Sequence, residues 1–233
     1  MKRIAIIPAR GGSKRLPRKN IKPVMGKPMI AYPIVAALQS KVFDRVIVST
    51  EDKEVAEISK KFGADVRSRP SELSTDKATI HQVVRHLLLE LKRDDGFPDY
   101  FCIIYPTAIL LEPNHFVGSL DMLLTQDVDC VLAVQEFKPH PFKALSIDQD
   151  LLSPAFPDQF GNKGQYLPSF FAPAGAFHWM RSAAFLDSKG AVWRLRRSGY
   201  LLKTYESIDI DEPEDLNMAE RLLIARKTID EKD

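Results

Sequence analysis

The stretch Ile4-Ala5-Ile6-Ile7-Pro8-Ala9-Arg10-Gly11-Gly12-Ser13-Lys14-Arg15-Leu16-Pro17-Arg18-Lys19-Asn20 sets the architecture of the chain. Its four leading apolar residues do not alternate with polar ones. That pattern reads as a short strand buried on both faces, as in a parallel sheet. The strand stops at Pro8, and a polar loop runs on to Lys22. Adjacent Gly11 and Gly12 place no β-carbon between the backbone amides and an incoming anion. Arg10, Lys14, Arg15, Arg18 and Lys19 supply five cations, enough to offset most of a triphosphate's charge, and the arginine fork matches phosphoryl oxygens. The spacing fits neither a P-loop nor the Gly-x-Gly-x-x-Gly of dinucleotide sites. A solvated basic turn is the bland reading of such a cluster. Its place directly after a buried strand favours a ligand, because open α/β sheets bind beyond the carboxyl ends of their strands.

Working outward, Met29 begins a helical pattern with Pro33 near its first turn, and Arg45–Thr50 is a second buried strand. Glu51–Phe62 has helical spacing and closes at Gly63; Ala64–Val66 is a short edge strand; Thr79–Leu91 carries an apolar stripe. Tyr100–Tyr105 and Cys130–Gln135 are further strands flanking a helix over Asn114–Gln126. Gly175–Met180 reads as a returning strand, Ser182–Asp187 as a short helix, and Glu214–Lys227 as a closing helix. Alternating strands and helices predict a single α/β domain over 1–233, with a mostly parallel sheet covered on both faces. Residues 136–173 break the rhythm with prolines and aromatics such as His140, Phe142, Phe156, Tyr166 and Phe170. A structureless loop of that length is uncommon. The expectation is an ordered excursion that packs on a partner subunit and helps wall an acceptor site; the alternative is an irregular lid packed on its own domain.

Composition narrows the partners. The chain has 233 residues, 45% of them hydrophobic, with Lys+Arg 33 against Asp+Glu 31. A formal charge of +2 creates no general field toward nucleic acid or membrane, so neither partner is expected. Cys102 and Cys130 lie in apolar stretches and read as small core residues of a reducing compartment. The apolar run after Met-Lys-Arg is too short for a signal peptide, so the expected location is the cytoplasm.

The second decisive string is Ile208-Asp209-Ile210-Asp211-Glu212-Pro213-Glu214-Asp215. In an extended segment, Asp209 and Asp211 point one way while Ile208 and Ile210 face the core. Two carboxylates that close repel unless a cation shares them, and Mg²⁺ accepts one or two carboxylates together with phosphate oxygens and water. Glu212-Pro213-Glu214-Asp215 suits a helix start, which is also the bland reading of the string. Five scattered histidines and two buried-looking cysteines show no zinc spacing.

The string from Ile7 to Asn20 resembles the signature of the CMP-sialic acid synthetase (acylneuraminate cytidylyltransferase) family, and the resemblance continues at matching intervals across nearly the whole chain. It implies the three-layer nucleotide-diphospho-sugar transferase-like sandwich, CTP as nucleotide, and usually a homodimer. By that resemblance Ala9, Arg10, Gly11, Gly12 and Ser13 surround nucleotide or phosphate. Lys19 stabilises charge building on the α-phosphate, Asn20 holds ribose or phosphate, and Arg69 contacts base or ribose. Asp209 and Asp211 match the family's metal segment.

Family members often carry glutamine-proline-threonine-serine-proline after the third strand; this chain has Tyr105-Pro106-Thr107-Ala108, followed by Ile109-Leu110-Leu111. That string and Gly175-Ala176-Phe177-His178-Trp179 are similar to the pseudaminic acid cytidylyltransferase branch, although Ala176 stands where glutamine is frequent. Tyr105 is then assigned to the nucleotide, and Thr107, Phe177 and His178 to the acceptor, with Ile109 and Leu110 as an apolar wall for a less hydroxylated sugar. The implied reaction is attack of the anomeric hydroxyl of a nine-carbon 2-keto sugar acid on the α-phosphorus of CTP, releasing pyrophosphate. The proton acceptor is either Asp211 or a metal-bound hydroxide. Sialic, legionaminic and Kdo acids are rival acceptors, and a catalytically silent nucleotide-sugar binding domain is the non-enzymatic alternative. The family pattern continues to Leu73-Ser74-Thr75-Asp76; read on its own Asp76 is a cap for the helix that follows, a role compatible with organising the site.

Overall fold

The computed structural model describes residues 1–94 and 96–230. In chain order, β1 (Arg3–Pro8) is followed by the small ribbon of β2 (Pro23–Val24) and β3 (Lys27–Pro28), then by α1 (Ala31–Ser40). Next come β4 (Arg45–Thr50), α2 (Lys53–Lys61), β5 (Asp65–Ser68) and α3 (Ile80–Asp94). β6 (Tyr100–Ile104), α4 (Pro113–Thr125) and β7 (Cys130–Glu136) lead to a hairpin of β8 (Leu145–Asp148) and β9 (Leu151–Pro154) and the single turn α5 (Pro157–Phe160). The chain closes through β10 (Phe171–Arg181), α6 (Ser182–Asp187), β11 (Arg197–Leu201) and α7 (Pro213–Asp230).

A sheet of seven strands in the order β11-β7-β10-β6-β1-β4-β5 forms the middle layer. All pairings are parallel except those of β10, which runs against both β6 and β7. One face packs on α1, α2 and α4 through Ile34, Val55, Phe116 and Leu120, with Ala5, Ile7, Cys102 and Trp179 below them. The other face takes Val84, Leu87, Leu88 and Leu91 of α3 and Phe185 of α6 against Ile4, Ile6, Phe101 and Ile103. The helix spacing of those α3 leucines therefore becomes a buried stripe, each contributing about 1.5–3 kcal/mol of apolar transfer. Leu88→Ala would leave a void under β1.

The termini of the helices follow local chemistry. Asp52 caps α2 by accepting from the Val55 amide at 2.9 Å, and Lys60 and Lys61 sit at its carboxyl end. At the start of α3, Thr79 Oγ1 accepts from the Gln82 amide and Gln82 Oε1 accepts from the Thr79 amide, a reciprocal box. Thr79 is thus the cap, and Asp76 is released for other partners.

A third apolar cluster lies off the sheet. Leu16, Val24, Met29, Ile109, Leu110 and Ile210 meet Leu216, Ala219 and Leu223 of α7. Ile109 and Leu110 are each 1% exposed, so they seat α7 and are not a wall of the acceptor site. Ile210 is fully buried there and Ile208 packs against the cluster, which keeps the alternation read from the acidic string although the segment joins no ladder.

Residues 136–173 hold more order than their composition suggests. Phe142 packs against Phe156 and Phe170 at centroid distances of 5.4 and 5.3 Å, and His140 accepts from the Phe142 amide. Every residue of β8 and β9 is exposed, including Ile147, Leu151 and Leu152. The hairpin therefore does not pack on its own sheet. β11, an edge strand parallel to β7, was not expected from the sequence.

Candidate active site

The cleft lies at the carboxyl ends of β1, β4 and β6. Pro8, the last residue of β1, pairs with Ser49 near the end of β4, and the Ala9 amide donates to the Ser49 carbonyl at 2.9 Å, which launches the cationic loop from the sheet rim. The loop is drawn back by Asn20, 7% exposed, whose amide nitrogen donates to the Arg10 carbonyl at 2.8 Å. Gly11 is required by closeness: a β-carbon there would lie 2.3 Å from Asp52 Oδ2. Its amide donates to Glu51 Oε1 at 2.7 Å. Arg18, in the left-handed region at φ 57°, forks onto Asp52 and also pairs with Glu54, pinning the far end of the loop to α2. Arg18 is accordingly a structural cation.

The acidic segment reaches the same place from the other end of the chain. β10 bulges between Pro173 and His178, with Gly175 at φ +61°, and the Ser207 hydroxyl donates to the Ala174 carbonyl at 2.6 Å. The Gln135 amide nitrogen donates to the carbonyls of Lys203 and Ser207. Asp215 accepts from the amides of Asp211 and Glu212 at 2.9 and 2.8 Å, forming the turn into α7. Lys19 Nζ then bridges the two ends of the chain, donating to the Ile210 carbonyl at 2.8 Å and to Asp211 Oδ1 at 3.0 Å. Arg15 reaches Asp211 Oδ2 at 2.6 Å.

The resulting cleft encloses about 590 Å³ and is lined by Arg10, Ser13, Lys14, Arg15, Lys19, Asn20, Arg69, Asp76, Tyr105, Thr107, Asp209 and Asp211 among others. Nine of the residues expected at the site thus converge: Arg10, Ser13, Lys19, Asn20, Arg69, Tyr105, Thr107, Asp209 and Asp211. Ala9, Gly11 and Gly12 shape the loop without lining the cleft. Phe177 is fully buried between Phe116 and Tyr200 on the α1/α4 side of the sheet, away from the cleft surface. His178 lies behind Tyr105, ring to ring at 5.7 Å. Burial, with help from His81 and Arg197, pushes its imidazole down to about 4, so it is neutral and offers no charge to a carboxylate.

Charge in the cleft is tightly matched. Burial works to raise the Asp211 carboxyl, but Lys19 and Arg15 outweigh it and hold the group below the ordinary value. Asp209 is raised, first by partial withdrawal from water and then by Asp211. Among the described residues no ion pair reaches Asp209. Two carboxylates under like-charge pressure, one without a cation, suit a hard divalent ion that completes its shell with phosphate oxygens and water. Among the described residues no group of three or more His, Cys, Asp or Glu side chains is placed to hold a metal ion. Arg69 is 8% exposed; it donates to the Ser49 carbonyl at 2.6 Å and lies 3.9 Å from Glu51. Burial lowers its affinity for the proton, Glu51 restores some of it, and Arg10 subtracts more.

Asp76, which the sequence leaves open between a helix cap and a place in the site, lines the cleft. It pairs with both Arg10 and Lys14, and those two cations hold its carboxyl below the ordinary value. Its place three residues ahead of a Thr-x-x-Gln box was the available signal.

Both cysteines are free and buried. Among the described residues no helix is long and apolar enough to cross a membrane.

With this geometry in place, comparison with known proteins is informative. A sequence profile described as cytidylyltransferase matches residues 4–150. A pseudaminic acid cytidylyltransferase of Campylobacter jejuni is 33% identical over 95% of this chain and 96% of its own. A CMP-N,N'-diacetyllegionaminic acid synthase of Legionella pneumophila is 31% identical over 96% and 97%. The solved CMP:2-keto-3-deoxy-manno-octonic acid synthetase complexed with CTP covers 97% of this chain and 100% of its own at TM-score 0.72 and 16% identity, a likeness of fold. A strand order with one reversed member, a cationic loop after the first strand and an acidic turn before the last helix thus occur in a chain that belongs to the CMP-sugar cytidylyltransferase superfamily.

Proposed function

We propose that the chain transfers CMP from CTP to the anomeric hydroxyl of a nine-carbon 2-keto sugar acid, with pseudaminic acid as the favoured acceptor and pyrophosphate as the second product. The observation that carries this reading is the Lys19–Asp211 contact at 3.0 Å, which joins the polyphosphate loop to the acidic pair in one cleft. Support for the acceptor comes from the Campylobacter relative and for the nucleotide from the profile match. The legionaminic relative covers as much of the chain, so that acid is the second acceptor to test.

In this reading Arg10, Lys14 and Arg15 receive the β- and γ-phosphates. Lys19, 19% exposed and fixed by the Ile210 carbonyl, meets the charge that grows at the α-phosphate, where a preoriented cation is worth more than in water. Asp211 stays an anion, because its two cationic partners keep the carboxyl low. Asp209 and Asp211 would hold Mg²⁺, which supplies charge neutralisation and alignment of the phosphates. Arg69 and Tyr105 face the nucleoside, and Thr107 the sugar. The hydroxyl oxygen bonds to the α-phosphorus as the bond to pyrophosphate breaks, and the hydroxyl's proton is lost. A homodimer is part of the reading, supported by the exposed Ile147, Leu151, Leu152 and Tyr166 of the excursion.

The test is pyrophosphate release with Mg²⁺, running four nucleoside triphosphates against pseudaminic, legionaminic, sialic and Kdo acids. Turnover with CTP and pseudaminic acid above all other pairs is expected. Turnover in no pair would refute the enzyme.

A further inference from the structure

The cations of the loop are paired with carboxylates of the same chain. Lys14 Nζ lies 2.5 Å from Asp76 Oδ2, and Arg10 contacts Asp76 Oδ1. Arg15 and Lys19 lie on Asp211, and Arg18 on Asp52 and Glu54. These pairs differ in what else they do. Asp52 caps α2 and abuts Gly11, and Asp211 belongs to the acidic turn, so both are built into the scaffold. Asp76 has no such duty. Thr79 and Gln82 cap α3 between them, and Asp76 lies in the irregular stretch between Ser74 and Thr79. Its side chain is 47% exposed, as are its partners at 39% for Arg10 and 83% for Lys14. Pairs this exposed are weak and exchange readily.

Geometry adds a second point. Arg10 and Lys14 leave from the end of β1, whereas Asp76 approaches from the segment ahead of α3. The contact spans the cleft, and all three residues line it. A phosphoryl oxygen arriving at the N–H donors that face Asp76 competes with its carboxylate for them.

We propose that Asp76 is an exchangeable counter-anion of the polyphosphate loop, an affinity-setting residue that gives up Arg10 and Lys14 to the distal phosphates and takes them back when pyrophosphate leaves. This rests on the reading of the cleft as a triphosphate site. It assigns to Asp76 a role opposite in sign to that of its neighbours: it weakens ground-state binding of the phosphates and shortens the life of the product complex. Removing its charge frees two cations, each worth a few-fold at an exposed pair, so the gain in affinity is about three- to tenfold.

The experiment compares the full chain with Asp76→Asn and Asp76→Glu, by titration calorimetry with inorganic tripolyphosphate and pyrophosphate in chelator, then by steady-state kinetics with pyrophosphate as product inhibitor. Asp76→Asn should bind both anions about three- to tenfold more tightly, lower the KM for CTP and strengthen product inhibition by pyrophosphate by a similar factor. Asp76→Glu should return toward the parent. Loss of a merely structural contact could only loosen the site, so tighter binding is the discriminating sign. Equal or weaker binding of tripolyphosphate by Asp76→Asn, with an unchanged melting midpoint, overturns the exchange and leaves the cleft's assignment standing. If neither protein binds tripolyphosphate or CTP, the assignment fails and the exchange falls with it.

Discussion

The cleft and the excursion treat surface in opposite ways. In the cleft, each of the loop's cations is matched to a carboxylate of the same chain, from Asp52 and Asp76 to Asp211. In the excursion, Ile147 at 69%, Leu151 at 74% and Leu152 at 64% exposure face water, although Ile147 and Leu152 pair across the hairpin. A patch of this kind is where soluble chains meet another surface. The contrast separates two surfaces: the cleft is internally compensated and answers to point changes of charge, while the excursion carries the apolar face assigned to the proposed homodimer.

The largest effect that sharpens the contrast belongs to Asp211. Asp211→Asn removes the anion that Lys19 and Arg15 share, and turnover should fall on the order of a thousandfold with circular dichroism unchanged. Near-normal activity would remove Asp211 from the acidic pair's role. Second is the excursion: Leu151→Glu with Leu152→Glu should weaken self-association on the order of tenfold or more by sedimentation, without lowering the melting midpoint of dilute chain. A parent protein that stays monomeric at every concentration would break the comparison, because the patch would then meet something other than its own copy.

Third, Gly11→Ala forces a methyl group against Asp52 and should cost about 1–3 kcal/mol in urea unfolding, raising the KM for CTP with it. Unchanged stability would mean that the loop is not anchored on Asp52. The smallest effect concerns Asp209. Its carboxyl is raised in the fold above the ordinary 3.8. The folded chain therefore holds that proton more tightly than the unfolded one, and stability declines as pH rises from the ordinary value through the raised one. At neutral pH in chelator the penalty is complete, so Asp209→Asn should raise the melting midpoint slightly, with no gain in acid below both values. Added Mg²⁺ should raise the midpoint of the parent and not of the variant. A variant that melts lower than the parent in chelator would show that Asp209 is held by an attractive contact.

Much of the sheet was legible because its strands are buried on both faces. Tyr100–Ile104 is buried throughout and Arg45–Thr50 is buried from Val46 onward, each around a run of three or more apolar residues. β11 was not legible: Arg197-Ser198-Gly199-Tyr200-Leu201 is an edge strand with half its residues in water, and a glycine at its centre reads as a turn. The β8–β9 hairpin was hidden by its neighbours, since prolines on both sides suggest irregular chain. At the site, the cationic loop and the acidic string were legible through their density of charge. What charge density cannot reveal is which cation is occupied by the scaffold. Arg18 and Lys19 are adjacent, yet a left-handed backbone at Arg18 sends one to α2 and the other to Asp211. Ile109 and Leu110 misled for a related reason: apolar residues beside a binding strand can face the cleft or the helix beneath it, and α7 claims them.

The stem of the excursion has a consequence for how such a chain can be remodelled. Glu136 and Phe171 pair across β7 and β10, and the Phe137 amide donates to the Phe170 carbonyl at 2.9 Å, so the segment departs and returns on neighbouring rungs of one ladder. Whatever lies between those rungs can be lengthened, trimmed or exchanged as a cassette without re-registering the strands that carry Gly175 and the acidic turn. If the proposed homodimer forms through this segment, a transplant of it between related chains should carry assembly with it and leave the nucleotide seat behind.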